Sequence, residues 1–300
     1  MTTTIIDPGA VRRHLADPAL RVPEADAASA RPIERFRAAS SRFVNGDAHD
    51  VRRARLEQRL ADLDPAELAE TAARMTRAAS TASTAPTAPT AASTAATLSD
   101  LTISRRIPVA CLARHLGFNR PERLPQLVAT IAAAYPTGIA AVEGDGVIAA
   151  DAADAAVDVA LQAAVDGDAA LDLQLLVQSC LATASLIDGA LAAVAAAPAV
   201  STRTALVQTL ARRPPVPATR RVDPHGAVLV LPLGDPAAHP AADDPASMLA
   251  FGSGPRACPA PAHALAIAAA VVDVLRAHGH PLAATDASSA SRTAGSGGDR

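Results

Sequence analysis

Leu56, Leu60 and Leu63 recur at three- and four-residue intervals among charged neighbours, the pattern of an amphipathic helix. That pattern runs from His49 to Arg77 and breaks at Asp64-Pro65, because proline lacks the N–H of the helical ladder and disfavours helical backbone before it. Around it, residues 1–77 predict short helices with turns at Asp7-Pro8-Gly9, Asp17-Pro18 and Asn45-Gly46. Helical patterning resumes over 98–135, with Ile107 to Gly117 as a start and stop. An acidic section follows, from Glu143 to Asp172. The stretch 170–196 is apolar on nearly every side, which predicts a central, buried helix. Another helix is predicted over 201–213, ended by Pro214-Pro215, and Val228-Leu-Val-Leu-Pro-Leu233 is the one convincing strand. A last apolar run, His263 to Leu275, predicts a helix opened by Pro259 and ending near Gly279. No internal repeat is visible.

Two stretches cannot build a core. Residues 78–97 contain only Ala, Ser, Thr and Pro, the composition of a loosely extended linker. Residues 283–300 form a Ser/Gly/Ala tail with the composition of disorder. The expected organisation is an N-terminal helical part at 1–77, the linker, a core at 98–282 and the tail.

Composition narrows the classes. Alanine in excess favours helix. A net charge of −3 gives no electrostatic case for nucleic acid or an anionic membrane. With no Trp, one Tyr and four Phe, platforms for stacking single-stranded bases are also scarce. Cys111, Cys180 and Cys258 are odd in number and far apart, with neither a disulfide framework nor zinc spacing, which fits a reducing cytoplasm. The start lacks the basic and apolar regions of a signal peptide. The longest apolar runs are interrupted by Asp188 in one and by His263, Asp273 and Arg276 in the other, so no membrane span is expected.

Chemistry concentrates in Phe251-Gly-Ser-Gly-Pro-Arg-Ala-Cys258-Pro-Ala260. A cysteine stands just before a helix, where exposed backbone N–H groups stabilise a thiolate. Gly252 and Gly254 permit tight turns and close approach to a flat ligand. A thiolate on a rigid loop with Arg256 nearby suits axial ligation of haem iron and capture of a propionate.

The stretch resembles the haem-binding loop of cytochrome P450s, Phe-x-x-Gly-x-Arg/His-x-Cys-x-Gly. Phe251, Gly254, Arg256 and Cys258 are in place, and Ala260 replaces the last glycine. Phe43 to Arg53 is similar to the start of the bacterial P450 C-helix, where a His-x-x-x-Arg pair holds a propionate; the spacing puts His49 and Arg53 on one helical face. Leu175 to Ile187 is similar to the I-helix over the distal face of the haem. Pro214 to Arg221 looks like the segment after the K-helix, whose arginine reaches the other propionate, with Arg221 matching and Arg220 as fallback.

The departures bear on activity. Family members usually carry an acid and a threonine in the I-helix as a proton relay; here those positions are Leu181 and Ala182, with Thr183 one step on. Leucine cannot carry a proton. The K-helix Glu-x-x-Arg is replaced by Gln208-Thr-Leu-Ala211, and losing both partners of a buried pair avoids a stranded charge. The chain is also about a quarter shorter than typical members.

The resemblance implies a mainly α, reduced P450-like fold with a small β-sheet, binding haem b (iron protoporphyrin IX) through Cys258. It implies a haem-thiolate monooxygenase acting on a small apolar substrate. Electrons would come from a separate ferredoxin or flavoprotein reductase, or from peroxide. Thr183 is the candidate catalytic residue; His49, Arg53, Arg221, Phe251, Gly254 and Arg256 are the candidate cofactor contacts. A catalytically degenerate haem sensor or regulatory subunit is the alternative, and a scaffold that has lost haem is a third. Each residue also has a plainer reading: Cys258 as an inert thiol, and the arginines and His49 as surface. His263 and Cys180 are expected to be structural. Asp151, Asp154 and Asp158 are expected to form a solvated acidic face, lacking the glycine-centred loop of a calcium site.

Overall fold

Prolines and caps set most of the helix starts. In the computed structural model, which describes residues 2–83, 101–135, 145–165, 167–235, 237 and 244–278, Asp7 Oδ1 accepts from the Ala10 amide at 2.7 Å. Asp7-Pro8-Gly9 is therefore the capped start of helix α1 (Pro8–Ala16) rather than a free turn. α2 (Pro32–Ala39) follows, then α3 (Gly46–Ala61). The expected break at Asp64-Pro65 separates α3 from α4 (Pro65–Ser83).

α4 runs past the expected boundary at residue 77 into the low-complexity stretch. Its hydroxyls are absorbed by the helix: Thr76 Oγ1 donates to the Ala72 carbonyl (2.7 Å) and Ser80 Oγ to that of Thr76 (3.0 Å). Packing against the last helix supplies what the Ala/Ser/Thr composition lacks. The rest of that linker, like the 283–300 tail, lies outside the described residues.

α5 (Ile103–His115) begins before the expected Ile107, with Pro108 inside it. α6 (Leu124–Ala134) and α7 (Asp145–Gln162) lead to the long α8 (Ala169–Ala196), whose N-cap is Asp168. The acidic face of α7 is partly engaged rather than simply solvated. Asp151 and Asp154 both pair with Arg31 at 2.8 Å, and Asp154 accepts from the Ile33 amide in the first turn of α2.

α4, α5, α8 and the last helix, α10 (Pro261–Ala277), pack as a bundle, with α6 and α9 (Thr202–Arg212) also laid on α8. α9 crosses α8 closely at Gly189, where a Cβ would come within 2.4 Å of Thr209 Cγ2. One apolar core runs from Ile33 to Leu275, so the expected N-terminal part and core are packed together. Within α8, Leu173, Leu176, Cys180 and Ile187 are fully buried, but Leu181 is 40% exposed. The helix is central, as expected, but it is not buried throughout: Leu181, Ser185 and Asp188 mark an exposed face. Among the described residues α8 is the one helix long and apolar enough to cross a bilayer, and its other face is packed within the bundle.

The sheet has order β1-β3-β2. β3 (Val228–Pro232) is the expected strand, paired parallel to β1 (Thr2–Thr4) and antiparallel to β2 (Ala218–Val222). Sequence pattern missed β1 and β2 because neither carries a clear alternation; pairing to β3 fixes both. A second, smaller cluster of Val11, Leu15, Leu231, Leu233 and Leu249 seats α1 on this sheet.

Candidate functional site around Cys258

Two short 3-10 turns, Leu249–Phe251 and Gly254–Arg256, fold the cysteine loop. Gly252 (φ 78°) and Gly254 (φ 70°) supply the left-handed backbone joining them. The Cys258 amide donates to the Phe251 carbonyl at 2.7 Å, and the Ala257 amide to that of Gly254 at 3.0 Å, so the loop closes on itself. Gly254 has a further constraint: a Cβ there would lie 2.6 Å from Ala16 Cα. That side of Gly254 is therefore packed against the end of α1. Phe251 is partly buried against the main core.

α10 begins at Pro261 rather than Pro259, with Ala260 at the N-cap. Cys258 lies just upstream of that helix, half-buried and free. Burial pushes its thiol above the ordinary cysteine value; hydrogen bonding from the Ala260 backbone and the charge of Arg53 pull the other way without prevailing.

Of the basic residues expected here, Arg53 reaches the loop directly and Arg256 ties the loop to the segment after α2. Arg53, on α3, donates through one NH group to the Ala257 carbonyl at 2.5 Å, and its Nε pairs with Glu57 at 2.6 Å. His49, one turn earlier, is buried and bonded through Nδ1 to Asp50 at 2.8 Å. Arg256 is held by the carbonyl of Val44 (2.6 Å), by Asn45 Oδ1 (3.0 Å) and by the carbonyl of Ser41 (3.4 Å). Burial lowers its pKa, while Asp50 and Glu24 act to raise it.

Arg221 and Arg220 separate cleanly. Strand alternation exposes Arg220 and buries Arg221 to 5% exposure. Arg221 donates to Thr219 Oγ1 (3.1 Å) and to the Arg220 carbonyl (2.9 Å). Burial, then the charges of Arg256 and Arg42, push its pKa down to about 10. No carboxylate among the described residues pairs with it. A buried guanidinium facing other cations is costly unless an anion completes the site. That is the chemistry that would receive the carboxylates of a porphyrin, and Cys258, on the loop that carries Arg256, is a soft sulfur donor suited to iron. The residues present fit a haem.

Thr183 is buried in α8, on the side of Cys180 and Ile187, whereas Leu181 is exposed and Ala182 half-buried. Burial raises the thiols of Cys180, to about 11, and Cys111, to about 12, as befits core cysteines. His263 Nε2 lies 3.2 and 2.9 Å from the carbonyls of Leu60 and Leu63, tying α10 to the end of α3. In the stretch that stands in place of the K-helix acid and arginine, Gln208 is half-buried and Thr209, Leu210 and Ala211 are buried. Sequence reasoning missed Ser41, Asn45 and Arg42. Only Asn45 carried a signal, as half of an Asn-Gly turn, and here it bonds the Val22 amide (2.9 Å) as well as Arg256. A cavity of about 730 Å³ opens elsewhere, between the ends of α3 and α5 and the start of α8, beside the Arg59–Asp172 ion pair. None of the residues around Cys258 lines it.

No family model matches the sequence, and no curated protein matches it. Solved structures do. The chain superposes on P450BioI, crystallised with an acyl carrier protein bearing hexadec-9Z-enoic acid, at a TM-score of 0.63 and 17% identity, covering 91% of this chain and 84% of that one. CYP109E1 from Bacillus megaterium, in complex with testosterone, gives a TM-score of 0.63 at 14% identity, covering 91% and 83%. CYP154A1 from Streptomyces coelicolor A3(2) gives 0.61 at 14% identity, covering 91% and 82%. At these identities and coverages the likeness is one of fold: this chain has the cytochrome P450 fold.

Proposed function

We propose that the chain is a haem-thiolate oxidoreductase of the monooxygenase type, acting on a small apolar substrate. The observation that carries this is Arg221, buried without a carboxylate partner among the described residues and under the like charge of Arg256, whose loop also bears Cys258. Cys258 would be the iron ligand. Arg221, Arg256, Arg53 and His49 would hold the propionates. Phe251 and the two turns around Gly252 and Gly254 keep the sulfur on a rigid loop. Bound there, thiolate-ligated haem supplies activation of dioxygen or peroxide for oxygen transfer to the substrate.

The chain's own groups set limits on that chemistry. Leu181 and Ala182 can neither hold nor move a proton. Thr183 is the hydroxyl proposed to serve instead, and peroxide, which brings its own protons, makes the lost pair less damaging. Electrons for dioxygen-dependent turnover would come from a separate ferredoxin or flavoprotein. α8 is proposed to be a core helix and the protein a soluble, cytoplasmic one that binds no nucleic acid.

The exposed leucine at the expected acid position, and the apolar stretch in α9, favour a second reading as a haem-binding sensor or regulatory subunit. The test has two stages. Purified protein given haem should show the thiolate-shifted Soret band in its ferrous–CO complex, and Cys258→Ala should abolish it; a colourless protein overturns both readings. Consumption of peroxide or NADPH with a panel of apolar substrates then separates enzyme from sensor.

A further inference from the structure

Gln174 lies far from the cysteine loop in sequence and is 3% exposed in the central helix α8. Its amide is spent wholly on one residue. Oε1 accepts from the Ser41 backbone N–H at 3.1 Å, and Nε2 donates to Ser41 Oγ at 2.8 Å. Ser41 opens the short turn Ser41–Phe43 that follows α2. Just before it, Tyr135 donates to Ser40 Oγ at 3.0 Å, so the turn is fixed at a second point.

The same segment carries every acceptor that holds Arg256: the carbonyls of Ser41 and Val44 and the side chain of Asn45. Arg256 is two residues before Cys258, in the turn whose Gly254 carbonyl receives the Ala257 amide. A continuous line of hydrogen bonds therefore runs from α8 through the 40–45 segment to the cysteine loop. Ser41 is itself buried, so an apolar residue at 174 would leave its N–H and hydroxyl without partners and force the segment to move toward water.

We propose that Gln174 is a positioning residue for the cysteine loop: it fixes the 40–45 segment, and that segment fixes Arg256 and so Cys258. The consequence for haem ligation rests on the haem-thiolate reading above; the link between Gln174 and the loop does not.

The test compares Gln174→Met, which keeps volume and loses both bonds, with Val128→Ala, a cavity-forming change in α6 outside the hydrogen-bonded line. Hydrogen exchange is followed in the haem-free chain, and the ferrous–CO spectrum after haem is added. In Gln174→Met, exchange over 40–45 and 251–258 should rise about tenfold relative to Val128→Ala at matched global stability. The thiolate-shifted band should fall, with the shorter-wavelength form of displaced thiolate growing in its place. Gln174→Glu, which keeps the acceptor for the Ser41 amide, should recover part of both. Equal exchange in Gln174→Met and Val128→Ala overturns the proposal, whatever the spectrum. A wild-type chain that takes up no haem sinks the haem-thiolate reading alone, since the exchange comparison still decides the link. Should Gln174→Met not fold, Ser41→Ala removes only the 2.8 Å bond and is judged by the same exchange comparison, with about a threefold rise expected.

Discussion

Arg256 acts on the buried guanidinium of Arg221 as a like charge, and no carboxylate among the described residues offsets it at Arg221. Such an arrangement persists at a cost to the haem-free chain. Arg221→Met should therefore raise the unfolding free energy of the haem-free protein by about 1–2 kcal/mol, while lowering its capacity to retain haem. Urea denaturation and haem titration measure the two effects. A loss of stability in the haem-free variant would show that the bonds to Thr219 and the Arg220 carbonyl outweigh the buried charge.

The core thiols give a pH dependence of known sign. Burial raises Cys180 to about 11 and Cys111 to about 12 in the folded chain. The unfolded chain, with ordinary thiols, then binds fewer protons than the folded one above pH 9. Stability is fully present below that pH and falls as pH rises toward the folded values. Between about pH 9 and pH 10 each thiol should remove on the order of 1 kcal/mol. Cys180→Ala should flatten the fall by that amount, measured as denaturation midpoints across the interval. An unchanged slope would mean the thiol ionises as readily folded as unfolded.

Gly254 and Gly252 have similar φ angles but different surroundings. A Cβ at Gly254 meets Ala16 Cα at 2.6 Å, and one at Gly252 meets Ala257 Cα at 3.5 Å. Gly252, with φ 78° and ψ −165°, holds a backbone region essentially reserved for glycine, so Gly252→Ala should cost about 1–3 kcal/mol from the backbone alone. Gly254→Ala should cost about 3 kcal/mol or more, because α1 must shift as well. Thermal melts rank the two, and the opposite order would refute the steric account.

Leu181 is exposed, so a charge there meets little resistance from packing. Leu181→Asp combined with Ala182→Thr should leave stability within about 1 kcal/mol. Oxygen-dependent turnover should rise in the haem-loaded double variant if the missing relay is what limits activity. Unaltered turnover with normal haem binding would favour the sensor reading.

Much of this architecture was legible from local pattern. The helical stretches of α8, α9 and α10, the break at Asp64-Pro65 and the apolar run of β3 are properties of neighbouring residues, and each appears close to where its sequence places it. The order of motifs from His49 to Cys258 pointed to the P450 fold before any packing was known. Other features depend on partners distant in sequence. β1 and β2 exist because β3 pairs with them, and α4 extends through a Ser/Thr-rich stretch because α10 covers it.

Sequence by itself determined most of the helices, the central strand β3 and the residue types of the site, because helix period, proline and glycine act within a few positions. Only tertiary structure decided that Arg221 rather than Arg220 is buried, that Gly254 serves α1, and that Gln174 and Ser41 support Arg256. Those choices follow from which groups lose water when distant segments meet, and burial of that kind leaves no periodic trace along the chain.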